Sequence, residues 1–204
     1  MVILLIAYSV MVKSKEFWMT MLHVFVLVVN LGYLLMSLAN TIEFAVFGND
    51  VAYLGSVFLS VCMFLTIVRL CGFEIKKTHI ITCLTLGAVM FAIIASSPML
   101  PLYYKSVAIE MIDGAAKLTK EYGVLHPLNL YYVIAYFVGM LAVIVVSLRR
   151  KYGGSYKLAM FMLIIVFGNI GMWVVEKLVK TPFEILSISY LMSEFAFFFL
   201  YLIL

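Results

Sequence analysis

Charge is what this chain has least of. Only 12% of its 204 residues are charged while 66% are hydrophobic, against about 25% charged in a typical soluble domain, so a water-soluble globular surface is excluded. Histidine and cysteine are scarce too, three of each. Cys62, Cys71 and Cys83 have no neighbouring His or acidic cluster, and their spacings make no metal site. With His23 near the inner face, His79 at the inner end of the fourth helix and His126 outside, no two histidines can share a metal. The paired acids with His, the zinc constellations and the Ser/Asp nucleophile sites of membrane hydrolases are missing. No lysine lies within 183–204 for a retinal Schiff base, and no filter loop, phosphate-binding loop or kinase motif occurs. Neither enzymatic activity nor a cofactor is expected. Internal repeats and heptads are absent as well, which argues against a duplicated transporter.

What is present is hydrocarbon. A bilayer core of about 30 Å needs roughly 20 apolar residues per helix. Charge-poor runs of that kind cover 17–41, 51–70, 78–97, 128–148, 156–175 and 183–204. Backbone groups in lipid must pair within their own element, and the runs are far longer than barrel strands, so they are helices. Residues 1–12 are also apolar but reach only about 18 Å. Without a basic flank before or a small-residue cleavage site after, they read as a clipped first helix rather than a signal peptide. The expected fold is all-α, a polytopic bundle of seven transmembrane helices, or six if the first does not span, forming one domain over 1–204.

Lys13, Lys15, Arg69, Lys76, Lys77, Arg149, Arg150, Lys151 and Lys157 fall in connections on one side; Lys105, Lys117, Lys120, Lys177 and Lys180 fall on the other. The larger set marks the cytoplasmic side of the inner membrane and places the C-terminus inside. The cysteines then sit in the half where thiols stay reduced, and no disulfide is expected. This asymmetry also accounts for the net charge of +4 without a nucleic-acid partner. Pro98, Pro101, Pro127 and Pro182 all mark outer helix ends. In the long outer connection, 98–127, Val107, Ile109 and Met111 alternate with Ala108 and Glu110 before Asp113-Gly114, which predicts a small extracellular β-hairpin. A short amphipathic helix is the alternative there.

Polar groups in hydrocarbon are costly, so their placement is informative. In the second helix His23, Asn30, Ser37 and Asn40 share a face with Tyr33. The third helix carries Tyr53, Ser56 and Ser60; the fifth Asn129, Tyr132 and Tyr136; the sixth Asn169, Trp173 and Glu176; the seventh Ser187, Tyr190 and Glu194. These stripes should face one another. The bland account is interhelical hydrogen bonding, and for Tyr103, Tyr104, Trp173 and Tyr201 a belt at the membrane interface. Glu194 stands apart. It lies about eleven residues below the outer end of its helix, near the midplane, where no basic residue is expected; a carboxyl there either shares a hydrogen bond with Asn30 or a tyrosine, or meets a ligand or a proton. With Asn40, Glu43, His126, Asn129, Asn169 and Glu176 gathering at the outer ends, an outward-opening ligand pocket above Glu194 follows.

The order of elements resembles a known family, the N-terminal seven-transmembrane sensor region of bacterial histidine kinases and diguanylate cyclases. The shared features are Tyr53-Leu54-Gly55 opening a helix that runs to Arg69 and Cys71-Gly72, and the outer hairpin. Then follow Glu121-Tyr122-Gly123-Val124-Leu125-His126-Pro127, the tyrosines 131–136, and Leu148-Arg149-Arg150 before a basic turn. The resemblance implies an outer ligand pocket coupled by the last helix to a cytoplasmic output domain or partner kinase. The chain ends at Leu204, where such a module would begin, so an excised sensor domain, a free-standing relative and a subunit acting through a partner all fit. A membrane receptor for an unknown small, amphipathic ligand is therefore expected, with a homodimer left open. The alternative of another class is a small substrate-binding membrane subunit or carrier; the plainest is a scaffold with a packed core.

Overall fold

The computed structural model describes residues 2–11, 16–97, 99–112, 115–150, 156–179 and 185–203. Among them are seven helices and one hairpin: α1 (Val2–Met11), α2 (Phe17–Ser37), α3 (Ile42–Leu70), α4 (Lys77–Ala95), β1 (Tyr104–Ile112), β2 (Ala115–Tyr122), α5 (Pro127–Arg150), α6 (Tyr156–Leu178) and α7 (Ile185–Ile203). Helices α2, α3, α4 and α5 are each long and apolar enough to cross a membrane, and α6 and α7 carry shorter apolar stretches. The all-α bundle expected from the apolar runs is thus present. Helix α1, at ten residues, rises only about 15 Å.

The helices form a ring. Helix α2 packs on α3, α3 on α5, α5 on α6, α6 on α7, and α7 returns to α2; α4 lies outside against α3 and α5, and α1 outside against α2 and α7. Lipid tails are as apolar as leucine, so squeezing two helices together in a bilayer gains nothing from the hydrophobic effect and association rests on close van der Waals contact. The α2–α3 pair meets that demand with small residues. A Cβ on Gly32 would land on the Ala52 backbone nitrogen, one on Gly48 would come within 2.6 Å of the Met36 nitrogen, and one on Gly55 within 2.6 Å of the Val29 nitrogen. Gly48, Ala52 and Gly55 follow one another by four and three residues, a single α3 face laid against α2.

Two boundaries differ from the apolar runs. Helix α3 begins at Ile42, nine residues before its apolar run. The Thr41 hydroxyl accepts from the Phe44 N–H at 3.3 Å as an N-cap, and Gly48 seats the extra turns against Met36. Glu43 and Asp50 therefore ride on a helix rather than in a connection. At the other end α3 stops at Cys71, whose carbonyl accepts from Ser147, and Gly72 takes φ 81°, a left-handed conformation suited to glycine.

The hairpin is antiparallel, with Ile112 opposite Ala115 and Tyr104 opposite Tyr122, and a bulge at Lys105. The Asp113-Gly114 turn lies outside the described residues. The inner face of the hairpin, Val107, Ile109, Ala116 and Leu118, packs on Met36, Ala39, Ala45 and Val46 at the junction of α2 and α3. Met111 is exposed, so the alternation sets two of its three apolar positions inward. The hairpin caps one end of the bundle, called here the hairpin end.

Candidate functional site

The polar stripes meet in more than one place. One is a seam along α7, which meets α2 on one side and α6 on the other. Glu194 and His23 are fully buried, with Nε2 of His23 3.8 Å from Oε1 of Glu194. That separation is too long for a hydrogen bond, and among the described residues neither atom has a partner, nor has Oε2. His23 Nδ1 lies 2.8 Å from the Met19 carbonyl, which can only accept, so Nδ1 carries a hydrogen. Nε2 then faces the carboxyl either as a lone pair or as a second N–H. The ring is stacked on Tyr8, centroids 4.9 Å apart, which brings α1 to the same spot.

The expectation that no basic group lies at the depth of Glu194 is corrected by this contact. His23 stands six residues into α2 from one end and Glu194 nine residues from the matching end of α7, about 9 and 14 Å along their axes. Side chains bridge the difference.

Beside this pair, Asn169 is fully used. Its Nδ2 donates to the Ile165 carbonyl at 2.9 Å and to Ser193 Oγ at 2.5 Å, and its Oδ1 accepts from Ser189 Oγ at 2.8 Å. Helix α7 thus presents Ser189 and Ser193, one turn apart, to α6, and Glu194, about 100° further round, to α2. Tyr190 is half-buried on the same helix. Asn30, two turns along α2 from His23, donates to the Val26 carbonyl at 2.8 Å.

Tyr132 and Tyr136 lie elsewhere, between α5 and the α3–α4 side, centroids 4.9 Å apart. Tyr132 donates to the Val57 carbonyl of α3 at 3.0 Å and Tyr136 to the Cys83 carbonyl of α4 at 3.4 Å. Both line a cleft between α4 and α5 of about 430 Å³.

At the hairpin end a third group forms. Tyr53 meets Tyr103 edge-on at 5.9 Å, Tyr103 meets Tyr104 at 4.8 Å, and His126 stacks on Tyr122 at 3.8 Å. The Lys120 ammonium sits 5.5 and 5.4 Å from the Tyr53 and Tyr104 ring centres, an attraction of cation for ring face. It also donates to Asn49 Oδ1 at 2.6 Å, fastening β2 to α3. Burial, and next the adjacent Tyr53, push the hydroxyls of Tyr103 and Tyr104 well above the ordinary tyrosine value. These two tyrosines are buried under the hairpin instead of facing lipid in an interface belt, because Gly123 and Leu125 hydrogen-bond back to the Tyr103 and Leu102 carbonyls and turn the chain inward. Asn40 and Glu43 are exposed at this end, and Asn129 is half-buried in the first turn of α5. The side chains of Trp173, Glu176, Ser187 and Tyr201 lie outside the described residues.

Of the residues singled out, the fold brings Glu194 and Asn169 together through Ser193, Tyr132 to Tyr136, and Tyr53 and His126 around Tyr103. It sets these three groups apart. Sequence reasoning passed over Asn49 and Lys120 as site residues. A lysine at the alternation-defined face of a hairpin strand next to a tyrosine-rich end was the available signal.

No curated protein and no solved structure matches the chain. Residues 1–204 match the family described as the N-terminal 7TM region of histidine kinase. Matched from end to end, and with seven helices among its described residues, the chain belongs to that family of seven-transmembrane histidine-kinase sensor regions.

Proposed function

We propose that this membrane sensor domain binds a small amphipathic molecule within its bundle and passes the event through α7 to a cytoplasmic kinase module. The observation that carries the proposal is the unequal hold on α7. Toward α6 its Ser189 and Ser193 hydroxyls are hydrogen-bonded to Asn169; toward α2 a buried carboxyl and imidazole stop 3.8 Å apart. A buried polar network that is half satisfied is costly. A small slide of α7 against α2 that closes or opens the pair therefore changes the energy steeply, which is the behaviour of an element with two arrangements. A ligand need only favour one of them.

In this proposal Asn30, Asn169, Tyr190 and Glu194 form the receptive seam, while Asn40, Glu43, Tyr53, His126 and Asn129 mark the outward end. The basic residues Arg69, Lys76, Lys77, Arg149 and Arg150 lie at the opposite end, which orients that end, and the C-terminus of α7, toward the cytoplasm of the inner membrane.

The test is Glu194→Gln in the chain coupled to a histidine-kinase module in membranes. Membrane yield should hold while the kinase dose response or its dependence on pH shifts by roughly tenfold, the effect of about 1.4 kcal/mol between two states. An unchanged response at unchanged yield removes Glu194 from the site.

A further inference from the structure

Helix α4, outside the ring, packs on α3 but only lightly on α5, and a cleft is left between α4 and α5. The cleft of about 430 Å³ lies within the size range of sites that hold small organic molecules. Gly139 forms part of its wall, and a Cβ there would already stand 3.2 Å from the Phe64 ring, so a larger side chain at this position would intrude on the space. Leu86 and Val89 of α4 and Leu128 of α5 flank the mouth and are exposed. They sit on segments long and apolar enough to cross a membrane, so the medium at the mouth is hydrocarbon, and the route in is through the bilayer.

The chemistry inside is narrow. The walls are apolar except for the Tyr132 and Tyr136 hydroxyls and the Cys83 thiol. Each tyrosine directs its single hydrogen at a helix carbonyl, Val57 and Cys83 respectively. A phenol oxygen so engaged has only lone pairs left to offer. What the two phenol oxygens offer is therefore acceptance, and with the Cys83 thiol only a weak donor, the head group that fits them is one that donates a hydrogen bond. The two oxygens lie five and nine residues into α5, about 8 and 14 Å from its first residue, below the level where a phosphodiester headgroup is held. A charged head at that depth is costly.

We propose that the cleft is a lateral binding site for a bilayer-dissolved, single-chain amphiphile with an uncharged donor head, a long-chain alcohol or protonated fatty acid. The chain fills the apolar groove and the head donates to Tyr132 or Tyr136. This deepens the sensor proposal by naming its ligand class and rests on that proposal for its consequence, since α5 packs on α6 and α6 on α7.

The test uses the full chain in phospholipid vesicles and three probes with one photoreactive diazirine chain: hexadecanol, the matching hydrocarbon and a phosphatidylcholine. Labelled peptides are mapped by mass spectrometry. The alcohol should label Leu86, Val89 and residues 128–139 about three- to tenfold more than the hydrocarbon does, the worth of one hydrogen bond, and more than the exposed α6 positions Ile164 and Phe167. Tyr132→Phe with Tyr136→Phe keeps the volume and should reduce the alcohol to the hydrocarbon level. Gly139→Leu should remove the excess for both. Equal labelling by the phosphatidylcholine, or alcohol labelling spread evenly over α4, α5 and α6, overturns the site. Specific labelling with no effect on a coupled kinase upholds the site and sinks the sensor proposal. Even labelling combined with a kinase response to Glu194→Gln does the reverse.

Discussion

The α2–α3 and α4–α5 pairs both contain glycine where two helices meet, and they use it to opposite ends. In the first, Gly32, Gly48 and Gly55 let two backbones touch, so dispersion contacts accumulate along most of both helices. In the second, Gly139 borders a cleft. The difference shows how a membrane bundle of one composition acquires a stiff half and a yielding half. The hairpin rests on the stiff half, locked there by Lys120 and Asn49. Helix α7 meets that same half at α2, where its buried carboxyl and the His23 ring stop 3.8 Å apart. The looser contacts are thus the ones that the proposed function uses.

The sharpest way to break the contrast is Gly32→Val. The new side chain would meet Ala52 backbone, which cannot yield as a side-chain tip does. Overpacking of this kind costs about 3 kcal/mol or more. The variant should lose most of its monodisperse protein in detergent, and its midpoint for unfolding in sodium dodecyl sulfate should fall well below the parent's. A parent-like midpoint would mean that the α2–α3 contact is not what stiffens this half.

That contrast was only partly legible in the sequence. The helices were, because hydrocarbon thickness and the scarcity of charge leave little else for apolar runs to be. The hairpin was, through its alternation. The start of α3 was missed because Glu43, Asn49 and Asp50 lower the local apolarity, whereas the structure starts the helix on a cap at Thr41 and a glycine contact at Gly48. Depth was the harder quantity. Counting residues placed His23 near one face and Glu194 near the midplane, but a helix offset of one turn, about 5 Å, is invisible in a single sequence and is enough to join them. Which stripes share a site is likewise a matter of ring order, α4 lying outside and α3 between α2 and α5, and no local pattern encodes it.

A middle case sharpens the comparison. Gly87 on α4 has the Phe58 ring 3.2 Å and the Tyr132 hydroxyl 3.4 Å from the place a Cβ would occupy, and both neighbours are ends of side chains. Gly87→Ala should therefore cost less than about 1 kcal/mol, since the strain of a slightly crowded site is offset in part by the better helix propensity of alanine. The same detergent unfolding measures it. A loss as large as that of Gly32→Val would show that the α4 side is as tightly constrained as the α2–α3 contact.

The smallest effect belongs to Gly168 and Gly171 of α6, where among the described residues nothing lies within 4 Å of an added Cβ. Both are exposed on the flank of the ring. Alanine there removes backbone freedom from the unfolded chain and adds no crowding, so Gly168→Ala and Gly171→Ala should be neutral to stabilising by no more than about 1 kcal/mol. Unfolding midpoints at two protein-to-detergent ratios check this. If either change instead destabilises at high protein and not at low, the open face of α6 is covered by a second copy of the chain. Its glycines would then belong with Gly32 and Gly55 as points of close approach, and the stiff half of the bundle would have a counterpart between subunits.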